Sequence, residues 1–232
     1  MTNLRPALSV CMRQLTMVFV LLVIGSCQAP VAKPAVTIVY SPGLDSVCSF
    51  IRGGKIQESW TKELKERKKE FENLWATVGP KLINKTEALI GKPFPAKDFT
   101  VRLTLCNLPS QSFVGIGINM RHALNSFGSS PVPMRYKVDT LFHELLHKYL
   151  SEYSVSVSEL LATRTEESTR VRNHLHLLAL QKAVLLEVGD LDALSDVIQI
   201  DSQLPGGHYK RAWEIVNVTD KEYLRYVAEL RK

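Results

Sequence analysis

The segment VDTLFHELLHKYL, Val138 to Leu150, most constrains what this chain can fold into. Its apolar members Val138, Leu141, Phe142, Leu145, Leu146, Tyr149 and Leu150 recur at helical spacing, so it reads as a helix wrapped in a core. Pro131 and Pro133 fit a loop before that helix, and Asp139 falls in its early turns. Two histidines interrupt the apolar pattern four residues apart. On a helix His143 and His147 stand one turn apart on the same face. Two neutral imidazoles so placed can grip one zinc ion from the same side. Glu144 points about a third of a turn away, placed to take a proton from a zinc-activated water rather than to bind the ion. HELLH is therefore the catalytic half of a zinc hydrolase. The competing reading is a chance HExxH on an ordinary buried helix, with a histidine hydrogen-bonded in the core.

The first residues read as an address. Arg5 and Arg13 form a positive region, and Leu15 to Ile24 is a short uncharged apolar run. A run this short suits a signal peptide and is marginal for a spanning helix. Gly25 and Ser26 directly precede Cys27, which resembles a bacterial lipobox with Cys27 as the lipidated first residue of the mature chain. Ordinary cleavage near Ala29 and an uncleaved anchor are the alternatives. Gln28 is not the aspartate linked to inner-membrane retention, which points to the outer membrane, facing the periplasm. The expected organisation is a leader over 1–27, a tether over 28–35 and a single zincin-like domain over 36–232.

Roughly 200 mature residues are enough for one domain with a substantial core. At 45% hydrophobic and 22% charged, the chain is too polar for several membrane spans and too apolar for disorder. Its net charge of +6 does not point to nucleic acid. Much of the basic character sits in TKELKERKKEFE, where lysine and glutamate alternate as on a solvated helix face, and no aromatic–basic cluster suited to stacking bases is present. With the leader removed, Cys48 and Cys106 remain. In an oxidising periplasm they can pair, or they can stay as two buried thiols; the sequence leaves both open.

The expected fold class is α+β, a small antiparallel sheet packed on the HExxH helix with a mostly helical remainder. Val36 to Tyr40 reads as a strand and Ser41-Pro42-Gly43 as a turn. A long helical region runs from about Gln57 to Ile90, with a candidate break at Gly79-Pro80. Phe99 to Leu105 reads as a strong strand and Gly115 to Leu124 as a second, separated by the turn-forming NLPSQS; His122 is then a strand residue. After the HELLH helix come a polar segment, Ser151 to Thr169, a helix from about Val171 to Val188, and a tail with GGHYKRAWEIVN and a last helix, Lys221 to Leu230.

A strand pair, an HExxH helix and a second helix carrying another ligand make the region Phe99 to Gly189 resemble the gluzincin-type zinc metallopeptidases. The chain also resembles uncharacterised bacterial secreted proteins in which an HExxH helix is followed by an NHLH-type helix. The gluzincin resemblance implies that the strand before the active-site helix, here Gly117 to Leu124, is a sheet edge that pairs with an extended peptide substrate. It also implies a glutamate ligand from the second helix. Glu167, twenty residues after His147, has the matching spacing but lacks the expected Asn-Glu-x-x-x-Asp context; Glu166 and Glu159 are further options. His174 is the rival third ligand. It lies in the apolar VRNHLHLLALQKAVLL with Asn173 before it, and three histidines make a good zinc site. His176 faces nearly the opposite way and would not share the ion.

In the tail, Gly206-Gly207 precede His208 and Tyr209. A histidine or tyrosine from this part of a gluzincin contacts the developing oxyanion, and Tyr209 is preferred because a phenol donates at neutral pH without depending on its charge. A plain turn before an amphipathic helix is the bland reading. The sequence thus points to a lipid-anchored zinc metallopeptidase of the cell envelope, with Glu144 as base and a peptide or protein as substrate. A zinc-binding envelope lipoprotein without turnover is the alternative, and hydrolysis of a non-peptide amide is a third.

Overall fold

Val36 to Tyr40, rich in β-branched residues, forms strand β1, and Phe99–Thr104 and Ile116–Asn119 form β2 and β3. The computed structural model describes residues 33–95, 98–113, 115–155 and 157–232. The leader with its apolar run and Cys27 lies outside these residues. The described residues belong to one compact unit. The strands lie in the order β1-β2-β3, with Val36 opposite Phe99 and Val101 opposite Ile116.

The class is α+β as expected, but both strand pairs are parallel where an antiparallel sheet was expected. The connections explain it. A parallel pair needs a chain that returns to the starting end. Between β1 and β2 that return is made by helices α1 (Pro42–Arg52) and α2 (Glu58–Ile90). Between β2 and β3, residues around the NLPSQS stretch run back beside β3 instead of closing a hairpin: Gln111 forms an antiparallel bridge with Gly117.

Three local expectations also change. Ser41-Pro42-Gly43 opens a helix, because Pro42 sits in its first turn, where a missing N–H costs nothing. Asp45, 3% exposed, ties that helix to the sheet by accepting from the Leu105 N–H. Helix α2 runs unbroken through Gly79-Pro80. Its buried stripe of Leu64, Phe71 and Trp75 continues beyond the proline as Leu82, Ile83 and Ile90, and this burial offsets a proline penalty of about 3 kcal/mol. Gly79 is there for packing: a Cβ on it would fall 2.5 Å from the Trp75 ring. Finally, the strand expected over Gly115 to Leu124 ends at Asn119. The Asn119 side chain donates to the Cys106 and Leu108 carbonyls and accepts from the Arg121 N–H. That side-chain turn competes with the ladder, and a single 3-10 turn, Arg121–Ala123, follows with His122 inside it.

Cys48 and Cys106 are joined as a disulfide, with Cα atoms 6.0 Å apart, pinning α1 to the end of β2. The chain then forms α3 (Met134–Glu152), the short α4 (Glu159–Ala162), α5 (Thr169–Glu187), α6 (Leu191–Asp201), α7 (His208–Val216) and α8 (Glu222–Leu230). Helix α5 is the centre of the helical layer. Leu175, Leu177, Leu178, Leu180, Val184 and Leu185 are all fully buried, and α2, α3, α6, α7 and α8 pack around it. Among the described residues no helix is long and apolar enough to cross a membrane.

Candidate metal centre

Helix α3 is buried on most of its circumference, so the histidines it carries are held by packing. His143 and His147 face the same way one turn apart, with ring centroids 5.0 Å apart. Helix α5 crosses beside them and brings His174 to 5.6 Å from His143 and 5.3 Å from His147. One ring nitrogen from each histidine lies within 4.8 Å of the other two. These three residues could hold a metal ion.

The chemistry of the donors fits that role. Burial is the main cause that lowers all three imidazole pKa values; their mutual repulsion adds to it at His143 and His147, and that of His208 at His174. His143 is held well below the ordinary value and His147 at about 4. Neutral rings have a lone pair to give. The hydrogen bonds select which nitrogen carries it. Nδ1–H of His143 donates to Gln181 Oε1 at 3.1 Å, and Nδ1–H of His174 donates to the Arg170 carbonyl at 2.7 Å. Nε2 therefore carries the lone pair on both rings, and an oriented ring with its far N–H anchored is the usual state of a metal-ligating histidine.

The other candidates are placed as follows. Glu144 is 5% exposed, and burial pushes its carboxyl up to about 7 against the opposing effects of a Ser112 hydrogen bond and Lys148. The Tyr209 hydroxyl donates to Nε2 of His143 at 3.4 Å, and its ring lies 4.7 Å from that of His174. Burial, then Asp201 and Glu144, raise its pKa, so the phenol keeps its proton. Both glycines before it take positive φ, 89° at Gly206 and 66° at Gly207, and the second starts α7. His208 lies 5.9 Å from His174, ring to ring.

Glu167 is not brought to the histidines. It precedes the Ser168 N-cap of α5, off the helix face that carries His174, and accepts from Arg211 at 2.6 and 3.0 Å. Glu166 is exposed, and Glu159 begins α4. His176 points away, and its Nε2–H donates at 2.8 Å to Glu229, which also accepts from the Ser158 hydroxyl and the Leu160 N–H.

No family model, no curated protein and no solved structure matches this chain. The site is therefore read from its own geometry. A cleft of about 530 Å³ opens beside it, and His143, Glu144 and Tyr209 are among the residues that line it. Its walls include Leu108, Val132, Val197, Ile200 and Leu204. The expectation that the edge of β3 receives a peptide along Gly117 to Leu124 needs correction. Beyond Asn119 there is no strand, and the edge itself is taken: Gly117 exchanges both backbone hydrogen bonds with Gln111, and the Asn119 N–H goes to Ser110 Oγ. The chain that returns from β2 occupies the place assigned to substrate.

Sequence reasoning missed Gln181, which lies seven residues after His174 on the same face of α5 and is 1% exposed. A lone amide in so apolar a run was the available signal, since a buried amide must find a partner. It also missed Ser112, which lies in sequence among turn residues and bonds Glu144.

Proposed function

We propose that this chain is a zinc-dependent metallopeptidase of the bacterial cell envelope. The observation that carries the reading is the convergence of His143, His147 and His174, with Glu144 and Tyr209 lining the cleft that His143 also lines. Three neutral imidazoles would hold zinc and leave a fourth position open. Bound there, zinc would polarise the scissile carbonyl and make water acidic enough to attack near neutral pH.

The protein groups do the rest. A carboxylate held at about 7 both accepts and returns a proton near neutrality, so Glu144 takes the proton of the attacking water and passes it to the leaving amine. The Tyr209 phenol donates a hydrogen bond to the oxygen that gains charge. Gln181 and the Arg170 carbonyl keep two of the rings in the orientation the chemistry needs. The apolar cleft walls exclude water from the reacting bond and bind flanking side chains.

The envelope location rests on the leader and on the disulfide. Export and lipidation at Cys27 would put the domain in the periplasm, and the Cys48–Cys106 bond suits an oxidising compartment. Mass spectrometry of the membrane-extracted protein should find a lipid-modified Cys27 as first residue; a mature chain starting near Ala29 would remove the anchor and leave the peptidase reading standing.

A second reading has one observation in its favour. Because Gln111 and Ser110 already occupy the β3 edge, the chain could be a zinc-binding envelope lipoprotein that binds a peptide or protein without cleaving it. Glu144→Gln separates the two. Under the peptidase reading it keeps its zinc and loses hydrolysis of a mixed peptide pool by roughly a hundredfold or more. Wild-type protein with full zinc and no cleavage of any peptide favours the binding protein.

A further inference from the structure

One group in the cleft is unused by the chemistry above. Lys137 lies on α3 and is 6% exposed, yet it lines the same cleft as His143 and Glu144. Lysine is seldom buried this far without a partner. Among the described residues its ammonium makes no hydrogen bond or ion pair; it stands 5.5 Å from the Tyr136 ring centroid and feels the charge of Asp201. Asp201 is itself committed elsewhere. Its two oxygens accept from the Tyr136 hydroxyl at 2.8 Å and the Trp213 indole N–H at 3.0 Å. That network fixes a carboxylate near Lys137 while leaving the lysine's three donors for something else.

The position is also suited to a ligand. Lys137, Thr140 and Glu144 fall at i, i+3 and i+7, one face of α3, and all three line the cleft. Seven residues along a helix span about 10 Å. An extended peptide covers that length in about three residues. Apolar atoms make up most of the surface that lines the cleft.

We propose that Lys137 is the anion-recognising end of the substrate cleft, receiving a carboxylate that lies about two to three residues from the bond held at Glu144. The preferred ligand is then a peptide with apolar side chains and one negative charge, supplied either by its own C-terminus or by an acidic side chain. This rests on the reading of the cleft as the substrate site.

The test is binding, measured by titration calorimetry on the zinc-loaded full chain carrying Glu144→Gln, so that no probe is consumed. The probes are acetyl-Ala-Ala-Phe-Leu as free acid, the same peptide as C-terminal amide, and acetyl-Ala-Ala-Phe-Glu amide. The free acid or the glutamate amide, or both, should bind at least about tenfold more tightly than the neutral amide, as expected of a charge-assisted hydrogen bond. Preference for the free acid alone assigns the chain terminus; preference for the glutamate amide assigns the side chain. Lys137→Met should erase the preference and leave the neutral amide's affinity unchanged; Lys137→Gln serves the same purpose if the methionine variant does not fold. Equal affinity for all three probes, or no binding of either charged probe, overturns the proposal without any variant. A preference that survives in Lys137→Met also overturns it, because the metal and not the lysine would then hold the carboxylate. Turnover by wild-type protein is scored separately, so absence of hydrolysis counts against the peptidase reading and not against Lys137.

Discussion

Gln181 Oε1 accepts from Nδ1–H of His143 at 3.1 Å, and this contact puts the ring's lone pair on Nε2, the nitrogen that could bind a metal. The two residues come from different helices, α5 and α3, so the orientation of one ligand depends on how those helices pack. The same α5 carries His174 seven residues earlier. Packing α5 on α3 therefore brings the third histidine of the cluster into place and orients the first in a single step.

Replacing the amide tests that dependence. Gln181→Leu keeps the size and removes the acceptor, so the His143 ring loses its anchor. Metal affinity should fall by about 10- to 100-fold, the usual effect of losing such a partner. Competition against a chromophoric chelator measures it. An unchanged affinity would show that the ring is oriented by packing alone.

The identity of the third ligand is tested by a short series. His174→Ala should weaken zinc binding far more than Glu167→Ala, and His176→Ala should leave it nearly unchanged. Glu167→Ala should instead cost a little stability, since Arg211 keeps only Glu214 of its two carboxylate partners. Zinc loss in Glu167→Ala with retention in His174→Ala would hand the role to the glutamate.

Much of this was legible from particular residues. The apolar spacing around HELLH marked α3, and the lone polar positions in VRNHLHLLALQKAVLL marked α5. Glu167 had the spacing of the resembled family, but Arg211, 44 residues away, holds its carboxylate, and no local pattern encodes that partner. Strand direction was likewise unreadable. Whether Phe99–Thr104 and Ile116–Asn119 run parallel depends on the path of the intervening chain, and NLPSQS has the composition of a hairpin turn while running back along the sheet edge. Gly79-Pro80 looked like a helix break because the dipeptide is a turn signal; the buried stripe on both sides outweighs it.

Gly79 gives a stability prediction whose sign propensity alone would miss. Alanine is the better helix former by roughly 1 kcal/mol. Its Cβ would meet the buried Trp75 ring at 2.5 Å, however, and Trp75 at 6% exposure has little room to move. Overpacking of this kind costs about 1–3 kcal/mol. Gly79→Ala should therefore lower the thermal midpoint. A raised midpoint would mean the ring relaxes freely.

Glu63 predicts acid sensitivity. Burial alone would raise its pKa, but hydrogen bonds from Ser126 and Asn125 overcome this and hold it at about 2. The Asn125 and Ser126 N–H groups donate at 2.8 and 2.7 Å, tying that loop to α2. A carboxyl depressed on folding contributes stability above its unfolded pKa of about 4.5, and that stability is lost as pH falls toward 2. Urea melts should show wild type well above Glu63→Gln at pH 7, with the gap closing between pH 4.5 and 2. A gap independent of pH would contradict the linkage.

X-ray absorption at the zinc edge, on protein purified without added metal, addresses the metal centre most directly. About one zinc per chain is expected, with three imidazole nitrogens at about 2.0–2.1 Å and the remaining ligand an oxygen; His174→Ala should reduce the imidazole count to two or empty the site. A chain that takes up no zinc on reconstitution, or one whose zinc sees two imidazoles and a protein carboxylate in wild type, would contradict it.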